Sequence, residues 1–288
     1  MRLNKTPIIR KDLDDGVLGE ANMDGTVFVD KSVKPGSALE KRVLAHEGKH
    51  AEQMKQGILA YDDDSVTYKG KKFERKDGKI KYNGKWHEEG SDVFPWEQDA
   101  MEAENPNDVS DFDISSFKKM KPPSDNSFDT MQEVKELNRI PLNRKFVKDN
   151  DDIEAAFKKA AKDNNVTDYD PNIAADLIEQ TAPIIMKLKN HYKRPRPKTI
   201  AKKLNIEMQD IELPSMKTPS YPSGHSVQGR LIANVLAEEY PNAASAFKRT
   251  GENISYSRRV AHAHYKSDSK MGELLGDEMF KHIKNKQQ

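Results

Sequence analysis

The sequence predicts a mainly α-helical protein in two parts, a helical C-terminal half and a smaller α+β N-terminal part. Three observations lead there. Hydrophobic residues are only 35% of the 288 residues and mean hydropathy is −0.90, too little for one large core, while the length suggests about two domains. From about Asp151 onward, apolar residues recur at helical spacing. Between the first two helical segments, long side chains alternate and are punctuated by X-Gly turn dipeptides. The expected boundaries are 1–105, a polar connector over 106–150, and 151–288.

Taken in order, Thr26–Asp30 (TVFVD) is a short strand candidate in an otherwise turn-rich start. Ser37–Gly57 reads as a helix with Leu39, Val43 and Leu44 at helical spacing and a glycine stop. The stretch VTYKGKKFERKDGKIKYNGKWHEEG carries Lys-Gly, Asp-Gly and Asn-Gly, which are hairpin turns; its polarity predicts a small exposed sheet. Pro95–Glu104 starts a second helix with proline at its first position. Residues 105–130 are rich in Asn, Asp, Ser and Pro with weak periodicity, the mark of a connector. Helices follow at Ile153–Ala161, Ile173–Asn190, Val227–Glu239, Ala243–Arg259 and about Ser269–Lys284. Ile173, Leu177, Ile184 and Leu188 are expected on a buried face.

Composition excludes several functions. No cysteine is present, which removes disulfides, thiolate ligands and a thiol nucleophile. Any metal site must use His and carboxylates. The longest apolar stretch falls far short of the roughly 20 residues of a membrane span. The first residues show no secretory signal, so a cytoplasmic or virion-associated location is expected. Forty-eight Lys+Arg against 47 Asp+Glu leave a net charge of +1, which argues against broad affinity for nucleic acid.

Three C-terminal segments hold groups suited to phosphate chemistry: Lys189–Pro197, Thr218–Ser226 and Ser257–Asp268. Lys and Arg neutralise phosphate oxygens. Ser223-Gly224 before a predicted helix offers backbone N–H groups to an anion. His225 beside that cradle can protonate a leaving oxygen. His264 and Asp268 are four apart and would share a helix face, so Asp268 can fix the tautomer of His264 and leave its other nitrogen as a nucleophile.

The order and spacing of these residues resemble the type 2 phosphatidic acid phosphatase (PAP2) superfamily, which includes class A acid phosphatases and vanadium haloperoxidases. Lys189 is followed by six residues and Arg196-Pro197; Pro222-Ser223-Gly224-His225 comes next; then Ser257-Arg258, five residues, His264, three residues, Asp268. A second register, Lys187 to Arg194-Pro195, also fits the first motif. The first is preferred because the acid-phosphatase form has an extra Arg two before the motif Arg. The resemblance covers about residues 150–288 and implies an all-helical PAP2-like bundle with its site at helix ends. It implies attack by His264 to give a phosphohistidine, leaving-group protonation by His225 and orientation of His264 by Asp268. Lys189, Arg196, Ser223, Gly224 and Arg258 would hold the phosphoryl oxygens, with no metal needed. A phosphate-ester small molecule is the expected partner. Vanadate, a phosphate mimic, would suit the same cradle, which keeps a vanadium-dependent haloperoxidase as an alternative.

His46-Glu47-Gly48-Lys49-His50 is an H-E-x-x-H string on a predicted helix. Two histidines at i and i+4 can hold Zn²⁺, with Glu47 placed to activate water. The arrangement is similar to gluzincin-type (zincin-like) metallopeptidases, in which a downstream helix supplies a third ligand. That resemblance implies Glu97, with Glu102, Glu104 and His87 as rivals, and a peptide as the substrate. A structural protein, such as a virion component with vestigial sites, is the remaining alternative.

Overall fold

The structure, a computed structural model, describes residues 7–286 and divides into two compact units, Met1–Pro106 and Asn107–Gln288. In the first unit, β1 (Ile8–Lys11) pairs parallel and β2 (Gly19–Ala21) antiparallel with the central β3 (Val27–Asp30). Helix α1 (Ala38–Lys55) is capped by Ser37, whose side chain accepts from the N–H of Glu40. Val43 and Ala51 pack on Val27 and Val29, whereas Leu39 is exposed despite its helical spacing.

Five antiparallel strands then run in chain order: β4 (Leu59–Tyr61), β5 (Ser65–Tyr68), β6 (Lys71–Lys76), β7 (Lys79–Tyr82) and β8 (Lys85–Glu88). Lys69-Gly70, Asp77-Gly78 and Asn83-Gly84 all adopt positive φ at both residues, the geometry whose twist matches tight hairpins. The sheet is less exposed than its polarity predicts. Val66, Tyr68 and Ile80 pack on Phe94 and Trp96 at the start of α2 (Pro95–Glu104), where the two rings stack at 4.7 Å. A few large apolar residues at alternating positions suffice for a core on one face.

The second unit is helical: α3 (Phe128–Asn138), α4 (Arg144–Asp151), α5 (Ile153–Asp163), α6 (Pro171–Tyr192), α7 (Pro197–Lys203), α8 (Gly224–Glu239), α9 (Ala244–Val260) and α10 (Lys266–Lys286). Residues 106–150 differ from a bare connector. They hold α3, α4 and a 3₁₀ turn at Phe117–Lys119, and Val109, Ile114 and Phe117 lie in the same core as Leu177, Leu188 and Leu231. Their apolar residues are too sparse to show a period, yet Val109, Ile114 and Phe117 are buried. Leu177, Ile184 and Leu188 form the expected buried face of α6, with Ile173 half-buried. Helix α8 is flanked by α9 and α10. A Cβ on Gly272 of α10 would come within 2.6 Å of the Ser223 carbonyl oxygen and 2.7 Å of the Ser226 Cβ. Only glycine allows this approach, which brings the start of α10 against the start of α8. Among the described residues no helix is long and apolar enough to cross a membrane.

Candidate functional sites

In the second unit, the ends of α6, α8, α9 and α10 bring the three C-terminal motifs together. Ser223 caps α8, and its side chain accepts from the N–H of Ser226. Gly224 and His225 therefore occupy the first turn, where backbone N–H groups lack intrahelical partners and the dipole is positive. The Ser223 N–H donates to the Asp268 carbonyl at 3.1 Å, which ties the cradle to α10. Below it, hydroxyls link Ser223 to Ser226 and Ser226 to Ser255 at 2.9 Å each, and Ser255 donates to Glu273 at 2.6 Å.

His264 does not share a helix with Asp268, as the four-residue spacing suggested: it lies in the turn before α10, and Asp268 sits in the first turn. The pair forms nevertheless, with His264 Nδ1 3.2 Å from Asp268 Oδ2. On the other side of the ring, Arg196 Nη1 donates to Nε2 at 2.8 Å. An arginine can only donate, so Nε2 carries the lone pair and Nδ1 the proton. Burial, with Arg196, Lys189, Arg258 and His225 adding repulsion, holds His264 well below the usual histidine pKa.

The cations crowd one another. Lys189 is buried and donates to the Pro219 carbonyl at 2.5 Å. Burial, Arg196 and Arg258 bring its pKa down to about 7, against the opposing pull of Asp268. Burial lowers Arg196 to about 10, with Arg258 contributing and Asp268 opposing. The Arg258 side chain is fully buried and its Nε has no hydrogen-bond partner. Such a cluster costs free energy unless an anion neutralises it. Lys187, the cation of the second register, is exposed.

Several participating residues were not assigned roles by their sequence motifs. Arg194 is buried against Asp268 (2.6 Å), donates to Glu133 of α3 (3.0 Å) and stacks on the Tyr265 ring. Ser220 also donates to Asp268. The sequence offers Arg194 as the motif arginine of the second register and, in the preferred one, as the extra arginine two before the motif Arg, and nothing local marks Glu133. Asp151, at the end of α4, pairs with Arg258 and lies 3.4 Å from His225 Nε2. His262 is outside the cluster, with its ring nitrogens on the Gln209 and Ile140 carbonyls, and His191 lies against the Lys118 carbonyl.

In the first unit, α1 and α2 place His46 Nε2, His50 Nε2 and Glu97 Oε2 in a triangle of 3.2, 3.3 and 3.4 Å. Zinc–nitrogen bonds of about 2.0–2.1 Å give a tetrahedral edge of about 3.3–3.4 Å, so these donors fit that ion. Their protons fit as well. Glu104 accepts from His46 Nδ1 at 2.6 Å, and Gln53 Oε1 accepts from His50 Nδ1 at 3.2 Å. The Gln53 amide is fixed because its Nε2 donates to Asp99, which also accepts from the Tyr68 hydroxyl. Both imidazoles therefore turn lone pairs toward a carboxylate, an arrangement that favours a cation. Burial opposes charge on His46, but Glu97, Glu47 and Glu104 pull its pKa up. Glu97 is held down to about 2 by His46 and His50 although burial acts the other way.

Of the rival ligands, Glu104 binds the far nitrogen of His46 and so orients that ring. His87 lies against the Phe94 ring, and Glu102 is exposed. Glu47 borders a cavity of about 460 Å³ that also reaches Tyr61, Arg75 and the edge strand β2. Burial raises the Glu47 carboxyl pKa, with His46 and His50 opposing, and burial likewise raises that of the Tyr61 hydroxyl.

Residues 175–280 match the profile of the PAP2 superfamily, so the C-terminal unit carries a PAP2 superfamily domain. Among known proteins, a non-specific acid phosphatase of Salmonella typhimurium is 36% identical over 88 residues, 31% of this chain and 35% of that one. The corresponding protein of Salmonella typhi is 34% identical over 88 residues, 31% of this chain and 35% of that one. An acid phosphatase of Zymomonas mobilis is 34% identical over 91 residues, 32% of this chain and 34% of that one. The matched segment thus spans about a third of the length of these relatives.

Proposed function

We propose that the C-terminal unit is a phosphatase that hydrolyses phosphate monoesters through a phosphohistidine on His264. The observation that carries this is the His264 ring, held between Asp268 on Nδ1 and a donating arginine on Nε2 within a cluster of buried cations. Lys189, Arg196, Arg258 and the N–H groups at Ser223-Gly224 bind the phosphoryl oxygens. His264 Nε2 attacks phosphorus, the bond to the ester oxygen breaks, and His225 gives that oxygen a proton. In the second half, water attacks the phosphohistidine, His225 takes back a proton, and the N–P bond breaks to release phosphate. Because the His264 pKa is lowered, the nucleophile stays neutral in mild acid, where Lys189 keeps its charge. Hydrolysis of p-nitrophenyl phosphate without added metal tests the reading. Wild-type protein as inactive as His264→Ala across pH 5–8 would sink it, and peroxidase activity appearing only with vanadate would replace it with the haloperoxidase alternative.

We further propose that the N-terminal unit holds Zn²⁺ on His46, His50 and Glu97 and is metallopeptidase-like. The triangle of facing acceptors supports this reading. A zinc ion held there supplies Lewis acidity to a peptide carbonyl. Glu47 accepts a proton from the attacking water and returns it to the departing amine, a role suited to its raised pKa. Glu104 and Gln53 keep the imidazoles in the ligating tautomer.

A further inference from the structure

The three C-terminal motifs leave the Asp151 carboxylate without a role. Asp151 lies outside the segment that matches the PAP2 profile, yet its carboxylate reaches two of the motif residues. It pairs with Arg258 Nη1 and lies 3.4 Å from His225 Nε2, and its own carbonyl oxygen accepts from that same nitrogen at 3.1 Å. Helix α4 holds it there: Asn143 caps the helix, and Val147 is buried in a cluster with Val260 and Ala261 at the end of α9. Arg258 Nη2 donates to Ser215 Oγ at 3.1 Å. Both terminal nitrogens of Arg258 are therefore engaged by the protein, and its buried Nε remains for an anion.

Resting on the phosphatase reading, we propose that Asp151 is a positioning residue for the leaving-group acid, the counterpart for His225 of what Asp268 is for His264. With Nε2–H committed to Asp151, Nδ1 is the nitrogen that carries the transferable proton. The nearby carboxylate also favours the imidazolium that must give it up, which burial alone disfavours. In the first half-reaction the N–P bond to His264 forms, the P–O ester bond breaks, and the proton on His225 Nδ1 moves to the departing oxygen. Asp151 neither gains nor loses a proton.

The test is leaving-group dependence. A p-nitrophenolate departs with little help, whereas an alkoxide needs its proton, so a misplaced acid penalises alkyl esters selectively. For Asp151→Asn, kcat/KM for ethyl phosphate is expected to fall at least about tenfold more than for p-nitrophenyl phosphate. Asp151→Glu, which keeps the carboxylate, is expected to recover part of that difference. A purely structural role would lower both esters equally, and that result, or no loss on either, overturns the assignment. Thermal melts of both variants identify a fold defect. If Asp151→Asn is unfolded, the comparison is made on Asp151→Glu against wild type, where equal effects on the two esters again overturn the proposal. Wild-type protein inactive on both esters defeats the phosphatase reading itself, a result distinct from any behaviour of the variants.

Discussion

The two units solve opposite electrostatic problems. In the C-terminal unit, buried Lys189 and Arg258 and half-buried Arg196 surround His264 and repel one another. In the N-terminal unit, two imidazole lone pairs and the Glu97 carboxylate face one another within 3.4 Å. One cluster is complementary to an anion and the other to a cation. Each is held by partners on its outer side: Arg194, Ser220 and Tyr265 N–H on Asp268, and Glu104 and Gln53 on the histidines. In each unit the charge that the site would accept follows from what its residues do to each other.

The largest effect that would break this contrast is at His264, the proposed nucleophile. His264→Ala is expected to lower kcat for p-nitrophenyl phosphate by at least about a thousandfold, with zinc content unchanged by metal analysis. Next, His46→Ala should weaken zinc binding by at least about a hundredfold, measured by chelator competition, and lower the melting temperature of the N-terminal unit while leaving phosphatase activity intact. Zinc retained at full occupancy in that variant would refute the ligand set.

A smaller effect sharpens the anion side. Tungstate stays doubly charged through neutral pH, so changes in its inhibition report the protein. Loss of the Lys189 proton as pH rises through about 7 removes a positive charge facing the anion. Inhibition should weaken over that window by up to about tenfold per pH unit, and in Lys189→Met it should be weaker throughout and flat with pH. The smallest effect is at Asp99. Asp99→Ala frees the Gln53 amide to rotate and is expected to cost about tenfold in zinc affinity, the lower end for partners that orient a ligand.

The legibility of these sites in the sequence follows from how local their interactions are. H-E-x-x-H, P-S-G-H and S-R-x5-H-x3-D each fall within at most twelve consecutive residues, so their spacing is visible along the chain. The hairpin turns were equally plain, because Lys69-Gly70, Asp77-Gly78 and Asn83-Gly84 need left-handed backbone. Glu133, Asp151 and Asp99 act across long sequence separations, and nothing in their neighbourhoods distinguishes them from solvated carboxylates. Residues 106–150 were misleading for a related reason. Val109, Ile114 and Phe117 are single anchors among polar residues, and only the tertiary core shows that each is buried. The turn holding His264 shows the limit of spacing as evidence: four residues placed it beside Asp268, but through a helix start and not along a helix face.

The most direct test of the central claim is to trap the phosphoenzyme. Wild-type protein mixed briefly with a ³²P-labelled phosphomonoester and quenched in alkali should retain label that survives base and is lost in acid, as expected of a phosphohistidine. His264→Ala should retain none. Label of equal amount in His264→Ala, or acid-stable label in the wild type, would contradict the account.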